Sequence, residues 1–226
     1  ISTVGVMEFV YEQSDAAPYL KIMIDENLFP LLKAQVDGKE LIIGPKKIKE
    51  NSRNGNSYNL QPTKFKVITN SREIKELNVV SSGDFIIASP INIGKLEINM
   101  AGSGNILLEK KVEGNKLEIN LASSGSVVAS NIDLAGIECS LAGSGYIQIA
   151  GKADRAEYNL AASGNIKAYE CVTGKTECNI AGSGNIQTHT RNQLEANIVG
   201  SGNVYYKGNP TTSKSIIGSG KLKSAN

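Results

Sequence analysis

The chain has no tryptophan and a single histidine, His189, and only 5% of its 226 residues are aromatic. One histidine excludes a two-histidine zinc set and leaves a lone imidazole for any catalytic triad. The three cysteines, Cys139, Cys171 and Cys178, cannot all pair within one chain, and none lies in a C-x-x-C metal or redox spacing. They read as small buried hydrophobes. No apolar run approaches the roughly 18 residues of a membrane-spanning helix, so no transmembrane segment is expected. Charge of one sign is also missing, because 24 basic residues face 22 acidic ones. A net charge of +2 is too mild for a nucleic-acid partner, whose backbone calls for clustered cations and stacking aromatics. The one basic run, Lys46-Lys47-Ile48-Lys49, reads as a solvated turn. The chain opens on Ile1 rather than Met, which reads as a processed or trimmed precursor.

Glycine, by contrast, is plentiful. Its 23 copies follow no Gly-X-Y period and come with only six prolines, so collagen is excluded, and their regular placement argues against a flexible linker. A Ser-Gly pair recurs with its serine at Ser82, Ser103, Ser124, Ser144, Ser163, Ser183, Ser201 and Ser219, at spacings of 18 to 21 residues. Self-similarity near a period of twenty predicts a solenoid, each repeat being one coil. Leucine-rich repeats share the period but need an L-x-x-L-x-L pattern that is missing, and propeller blades need about 40 to 45 residues.

Each repeat has one grammar. A strand of the form Leu96-Glu97-Ile98-Asn99-Met100 leads into the corner, and a second strand such as Ile106-Leu107-Leu108 follows it. Alternation puts Leu96, Ile98 and Met100 inside and Glu97 and Asn99 outside. The expectation is an all-β fold, a right-handed single-stranded β-helix (β-solenoid) of about eight coils marked by Gly-Ser-Gly corners. Two sheets share its thin core, with room for a third short strand around Val112, Ile132 or Val172; right-handedness follows from strand and crossover chirality. Residues 1–75 are read as a β-rich N-terminal cap continuous with the solenoid, and 76–226 as the repeats. Within the cap, Asp37-Gly38 signals a hairpin, and Asp25 to Leu32 hints at a helical turn.

The "DENLFPLL" segment, the "KELIIG" strand and the serial L-E-I-N-x-A-G-S-G-N-I repeats resemble the head GIN domain family of bacterial adhesins, a DUF-type family common in Bacteroidetes. The resemblance covers most of the chain. It implies a pectin-lyase-like β-solenoid, export to the periplasm, outer membrane or cell surface, and a role in adhesion. It brings no catalytic residues to transfer and no cofactor.

The candidate binding positions are the outward rows: Glu97, Asn99, Glu118, Asn120, Glu138, Glu157, Asn159, Glu177 and Asn179, with Tyr146 and Tyr205 as exposed aromatics. Stacked carboxylates about 4.8 Å apart come close to the pair spacing of a retaining glycosidase. A uniform row, however, lacks the unequal environments that such a pair needs. Calcium would find oxygen ligands there, but the G-G-x-G-x-D repeat is missing. Amide ladders between coils are the plainer reading. No G-x-S-x-G elbow or phosphate-binding loop is present. The corner residues Gly102, Ser103, Gly104, Gly143, Ser144, Gly145, Gly182, Ser183, Gly184, Gly200, Ser201 and Gly202 are assigned an architectural role, their glycines supplying unusual backbone angles and their serines capping turn amides. The expectation is a non-enzymatic attachment module without metal or cofactor, partnered by host or envelope glycans, lipids or proteins, with a homo-oligomer allowed. The alternative is a lipid or glycan carrier that binds where the cap meets the first coils, and a polysaccharide-active enzyme ranks below both.

Overall fold

The computed structural model describes residues 1–47 and 60–225, so Ile48 and Lys49 of the basic run lie outside the described residues. The fold is a β-solenoid of about seven turns. Its strands are β1 Ser2–Gly5, β2 Glu8–Gln13, β3 Leu20–Ile24, β4 Leu32–Asp37, β5 Glu40–Pro45, β6 Phe65–Ser71, β7 Glu76–Ser81, β8 Asp84–Ile87 and β9 Ile91–Met100. They continue as β10 Asn105–Leu108, β11 Val112–Leu121, β12 Ser126–Leu141, β13 Tyr146–Leu160, β14 Asn165–Gly182, β15 Asn185–Gly200, β16 Asn203–Lys207, β17 Thr211–Gly218 and β18 Lys221–Ser224.

Coils stack in parallel with like on like. Ile98 pairs with Ile119, then Cys139, Tyr158, Cys178 and Ala196 follow in the same column. Each column inside is closed to water, and Ile98, Ile106, Leu117, Ile119 and Ile147 are all 0% exposed. Burial of one such side chain contributes about 1.5–3 kcal/mol, less than the ordering of a twenty-residue coil costs, so coils are stable only as a stack.

The core has three walls rather than two. Along β9 the buried positions are Ile91, Ile93, Leu96, Ile98 and Met100, so the two-residue alternation slips at Gly94 and Lys95. A strand can keep both Ile93 and Leu96 inside only by bending there. The same slip separates Leu134 from Ile137, Ala153 from Ala156, and Thr173 from Thr176. The first face carries the Glu/Asn strands, the second the strands after the Ser-Gly corner, and the third the segment around Ile91, Val112, Ile132 and Cys171. Residues beyond the second face thus form a full side of the coil, not an optional insert.

The N-terminal residues run through the stack. β1 pairs in parallel with both β5 and β7, and β2 with both β6 and β8, so Ser2–Gln13 forms a coil between two others. The chain then leaves to build the outer layer, where β3 and β4 pair antiparallel to β6 and β5. A 3-10 turn, Glu26–Leu31, joins β3 to β4, and Gly38, at φ 58°, turns the β4–β5 hairpin as Asp37-Gly38 predicts. These two antiparallel strands cover the edge that a bare parallel coil would offer for aggregation.

The corner glycines correct the expected reason for their presence. Gly104 and its equivalents after the serine do not occupy the left-handed region. Instead, a Cβ on Gly104 would stand 1.9 Å from the carbonyl oxygen of Gly83, and the same position in the next coils meets the Gly104, Gly125 and Gly145 oxygens at 2.0–2.5 Å. Close backbone approach between coils, not torsion, demands glycine here. Left-handed backbone occurs one residue before the serine and only in the last coils, as at Gly200 with φ 125°. The Gly104→Ala change should therefore cost at least about 3 kcal/mol of stability, whereas Gly94→Ala, whose Cβ would meet nothing within 4 Å, should change it by less than about 0.5 kcal/mol. Chemical denaturation of the two variants checks this.

Candidate functional site

The outward Asn row is a hydrogen-bond ladder. Asn99 Nδ2 donates to Asn78 Oδ1 of the preceding coil at 3.1 Å and to Glu97 Oε1 of its own strand at 3.1 Å. Asn120 donates to Asn99 at 2.9 Å, and the pattern resumes from Asn159 through Asn179 to Asn197 after Ser140 interrupts it. Asn159, Asn179 and Asn197 also donate to the Glu two residues before them. In Asn99 and Asn179 the amide donates both to the preceding coil and to its own Glu, and its oxygen accepts from the next coil. A second ladder on the next face links Asn165, Asn185 and Asn203. Tyr146 fills the corresponding slot one coil earlier.

The Glu row divides in two. Lys95 lies 3.3 Å from Glu97 and 3.0 Å from Glu118, while Lys116 lies 2.7 Å from Glu138. The Lys95 hydrogen bond lowers the Glu118 carboxyl below its ordinary value, against the opposing effect of partial burial. Further along, Glu157, Glu177 and Glu195 make no lysine or arginine ion pair among the described residues. An open groove of about 440 Å³ runs there between this row and Arg155 and Lys175. The lysine-paired Glu97, Glu118 and Glu138 thus sit in a different setting from Glu157, Glu177 and Glu195. No group of three or more metal-ligating side chains occurs among the described residues.

At the corners, Ser103, Ser144 and Ser183 are exposed. Turn amides are capped one position earlier, where Ser81 Oγ accepts from Gly83 N–H and Ser123 Oγ from Gly125 N–H. Where glycine or alanine holds that position, no side chain caps the turn. Gly143 and Gly182, like Ser201 and Gly202, take part in the stacked corner, and the Gly202 N–H donates to Gly182 O at 3.0 Å. Gly102 and Gly145 pack their Cα against carbonyl oxygens of the coil below, as Gly184 does against Gly164. Tyr205 stands on the outward side of the second face.

One concave site has no repeat signature. A cavity of about 900 Å³ opens near the N-terminal strands, lined by Tyr11, Tyr19, Leu20, Val36, Leu41 and Ile74 with Lys39, Glu40, Asn70 and Lys75 among its polar groups. Its size suits a small amphiphile. The wall is fixed: Tyr19 N–H donates to Asn70 Oδ1 at 2.8 Å and Thr69 Oγ1 to the Tyr19 carbonyl at 2.7 Å. Sequence reasoning pointed to the region where the cap meets the first coils, without naming a residue. Its lining comes from five separate segments, which no local pattern joins.

A family model described as "Putative auto-transporter adhesin, head GIN domain" matches residues 1–110 and again 105–210. The chain belongs to this family. The GIN domain is similar to a solved structure from Parabacteroides distasonis ATCC 8503 called a putative lipid binding protein, at 52% identity over 99% of this chain and 91% of that one, with a TM-score of 0.96. It also resembles a putative adhesin from Parabacteroides merdae ATCC 43184, at 33% identity over 100% and 90% of the two chains and a TM-score of 0.89. A putative adhesin from P. distasonis ATCC 8503 shares 30% identity over 98% and 90%, with a TM-score of 0.89. No curated protein matches the chain. No described helix of the GIN domain is long and apolar enough to cross a membrane.

The interior of this GIN domain holds its three thiols free and buried, around Tyr158. The Tyr158 hydroxyl has no hydrogen-bond partner among the described residues. Burial pushes Cys171 up to about 12 and raises Cys139, Cys178 and Tyr158 well above their ordinary values. Such thiols are inert in the folded state. The unfolded chain gives up its thiol protons first, from the ordinary value of 9.0, so it binds fewer protons than the folded chain and stability falls as pH rises from there toward about 12. Thiol titration at pH ~8 should find none of the three reactive until denaturant is added. Thermal melts should hold steady to about pH 9 and then decline, less steeply when all three cysteines are replaced by alanine.

Proposed function

We propose that this chain is a non-enzymatic attachment module of the bacterial cell envelope, exported and surface-exposed, that binds through the length of its faces rather than through a catalytic pocket. The observation that carries this reading is the in-register surface, on which parallel coils hold their outward side chains in columns along the length of each face. Repeated weak contacts along such a rod add up as linked sites do, while no single residue dominates. The open setting of the Glu row supports the non-enzymatic part, because Glu157, Glu177 and Glu195 border a groove open along the face rather than an enclosed pocket. Beads coated with the intact chain should adhere to envelope or mucus-type surfaces. Single Glu→Gln changes at Glu97, Glu118, Glu157 or Glu177 should each leave adhesion within about two-fold, as expected for non-dominant contacts. Hydrolysis of a polysaccharide panel that disappears with one of these changes would overturn the reading.

The cavity at the capped end favours a second reading, carriage of a lipid-like amphiphile, and the name of the 52% identical relative agrees with it. Val36 is 70% exposed at this cavity and Leu20 39%, an arrangement suited to an apolar tail. A fluorescent fatty acid should bind the intact chain with one-to-one stoichiometry. The double change Leu20→Glu and Val36→Glu should abolish that binding without lowering the melting temperature, and unchanged binding would refute this site.

A further inference from the structure

The surface lysines are handled differently in the two halves of the rod. Toward the N-terminal end several face carboxylates, among them Lys66 with Glu8, Lys95 with Glu97 and Glu118, Lys111 with Glu113, Lys116 with Glu138, and Lys152 with Asp133, while Lys21 lies 5.2 Å from the ring centre of Tyr19. Toward the C-terminal end three lie over tyrosine rings. Lys167 Nζ is 4.6 Å from the ring centre of Tyr146, Lys207 is 4.8 Å from Tyr169, and Lys223 is 5.7 Å from Tyr205. Of these three lysines only Lys207 also has a carboxylate, Glu170 at 3.7 Å. Beyond Glu195 the sequence has no acidic residue, while Lys207, Lys214, Lys221 and Lys223 follow it.

The difference is chemical. An ion pair neutralises the ammonium, whereas a ring face only positions it and leaves its charge available. The groups share one surface. Gln148, Lys167, Gln187, Tyr205 and Lys223 form one outward column of the second face, and Tyr146 begins the adjoining column that ends at Lys221. Five coils stacked at about 4.8 Å make this patch about 19 Å long. It offers cations for acid groups, ring faces for sugar C–H surfaces and amides for hydroxyls.

We propose that this half of the second face, from Tyr146 to Lys223, binds an acidic glycan. The inference rests on the attachment reading and gives that reading a ligand class. A membrane surface fits the same charge less well, because interfacial binding couples cations to apolar side chains that insert. The aliphatic part of this column, Ile86, Leu107 and Val128, lies at the other end of the face, away from the lysines.

Surface plasmon resonance of the intact chain over polygalacturonate, hyaluronate and neutral dextran tests the assignment, with phosphatidylcholine vesicles containing phosphatidylglycerol as a fourth surface. Binding is expected to both acidic polysaccharides and not to dextran, and to weaken as salt screens the lysines. The pair Tyr146→Ala and Tyr205→Ala, and separately Lys167→Gln and Lys223→Gln, should each weaken it roughly ten-fold. The Lys→Arg pair should restore binding, and melting curves confirm that each variant is folded. No binding to either acidic polysaccharide, binding unchanged by the tyrosine pair, or tighter binding to the anionic vesicles would overturn the proposal. If coated beads still adhere with both pairs changed, attachment stands and this face is not its site; if beads carrying the unaltered chain fail to adhere, the attachment reading itself falls.

Discussion

At the Ser-Gly corner two backbones come so close that a single Cβ would overlap the carbonyl oxygen below it, and the rest of the architecture follows from that contact. A column of glycines lets successive coils settle at strand spacing on a tight bend, where any side chain would pry them apart. With the bend fixed, the Glu/Asn strands from β9 to β15 stack in register, so their inward columns are buried throughout and the outward asparagines can form ladders. The Asn rows add to this order but do not create it, since Ser140 and Tyr146 interrupt them and the coils still stack.

The same regularity decides what the surface can do. A ladder amide with both N–H groups engaged is a poor hydrogen-bonding partner for anything else, so the rows that repeat most faithfully are the ones most committed to the fold. Positions where the repeat departs from itself are better placed to bind. Tyr146 in an Asn slot, Lys167 and Lys223 resting on rings, and the N-terminal cavity outside the repeat are all departures of this kind.

Much of this was legible in the sequence. The eight Ser-Gly pairs gave the coil length, and alternation in Leu96 to Met100 gave the inside and outside of the first face. The Asp37-Gly38 hairpin and the burial of the cysteines could also be read directly. The third wall was harder, because its signal is a one-residue phase slip at Gly94 and Lys95 that looks like an ordinary turn. The threading of Ser2–Gln13 between two later coils was invisible, since it depends on partners 40 to 76 residues away and carries no Ser-Gly mark of its own. The reason for the glycines after the serine was hidden for a related cause: torsion, which applies at Gly182 and Gly200, is a local property, while closeness to another coil appears only in three dimensions. The capped-end cavity and the ring-seated lysines likewise join distant segments, though the isolated Tyr146 and Tyr205 did mark one of them.

The most direct test of one repeat as one interchangeable coil is removal of a coil in register. Deleting Asn99 through Ile119 joins Ile98 to Asn120, which continues the same column because Ile98 pairs with Ile119 and Asn99 with Asn120. The account predicts a cooperatively folded β-rich chain whose longest dimension in small-angle scattering is shorter by about 4.8 Å. Loss of cooperative folding equal to that from an out-of-register deletion of half this length would contradict it.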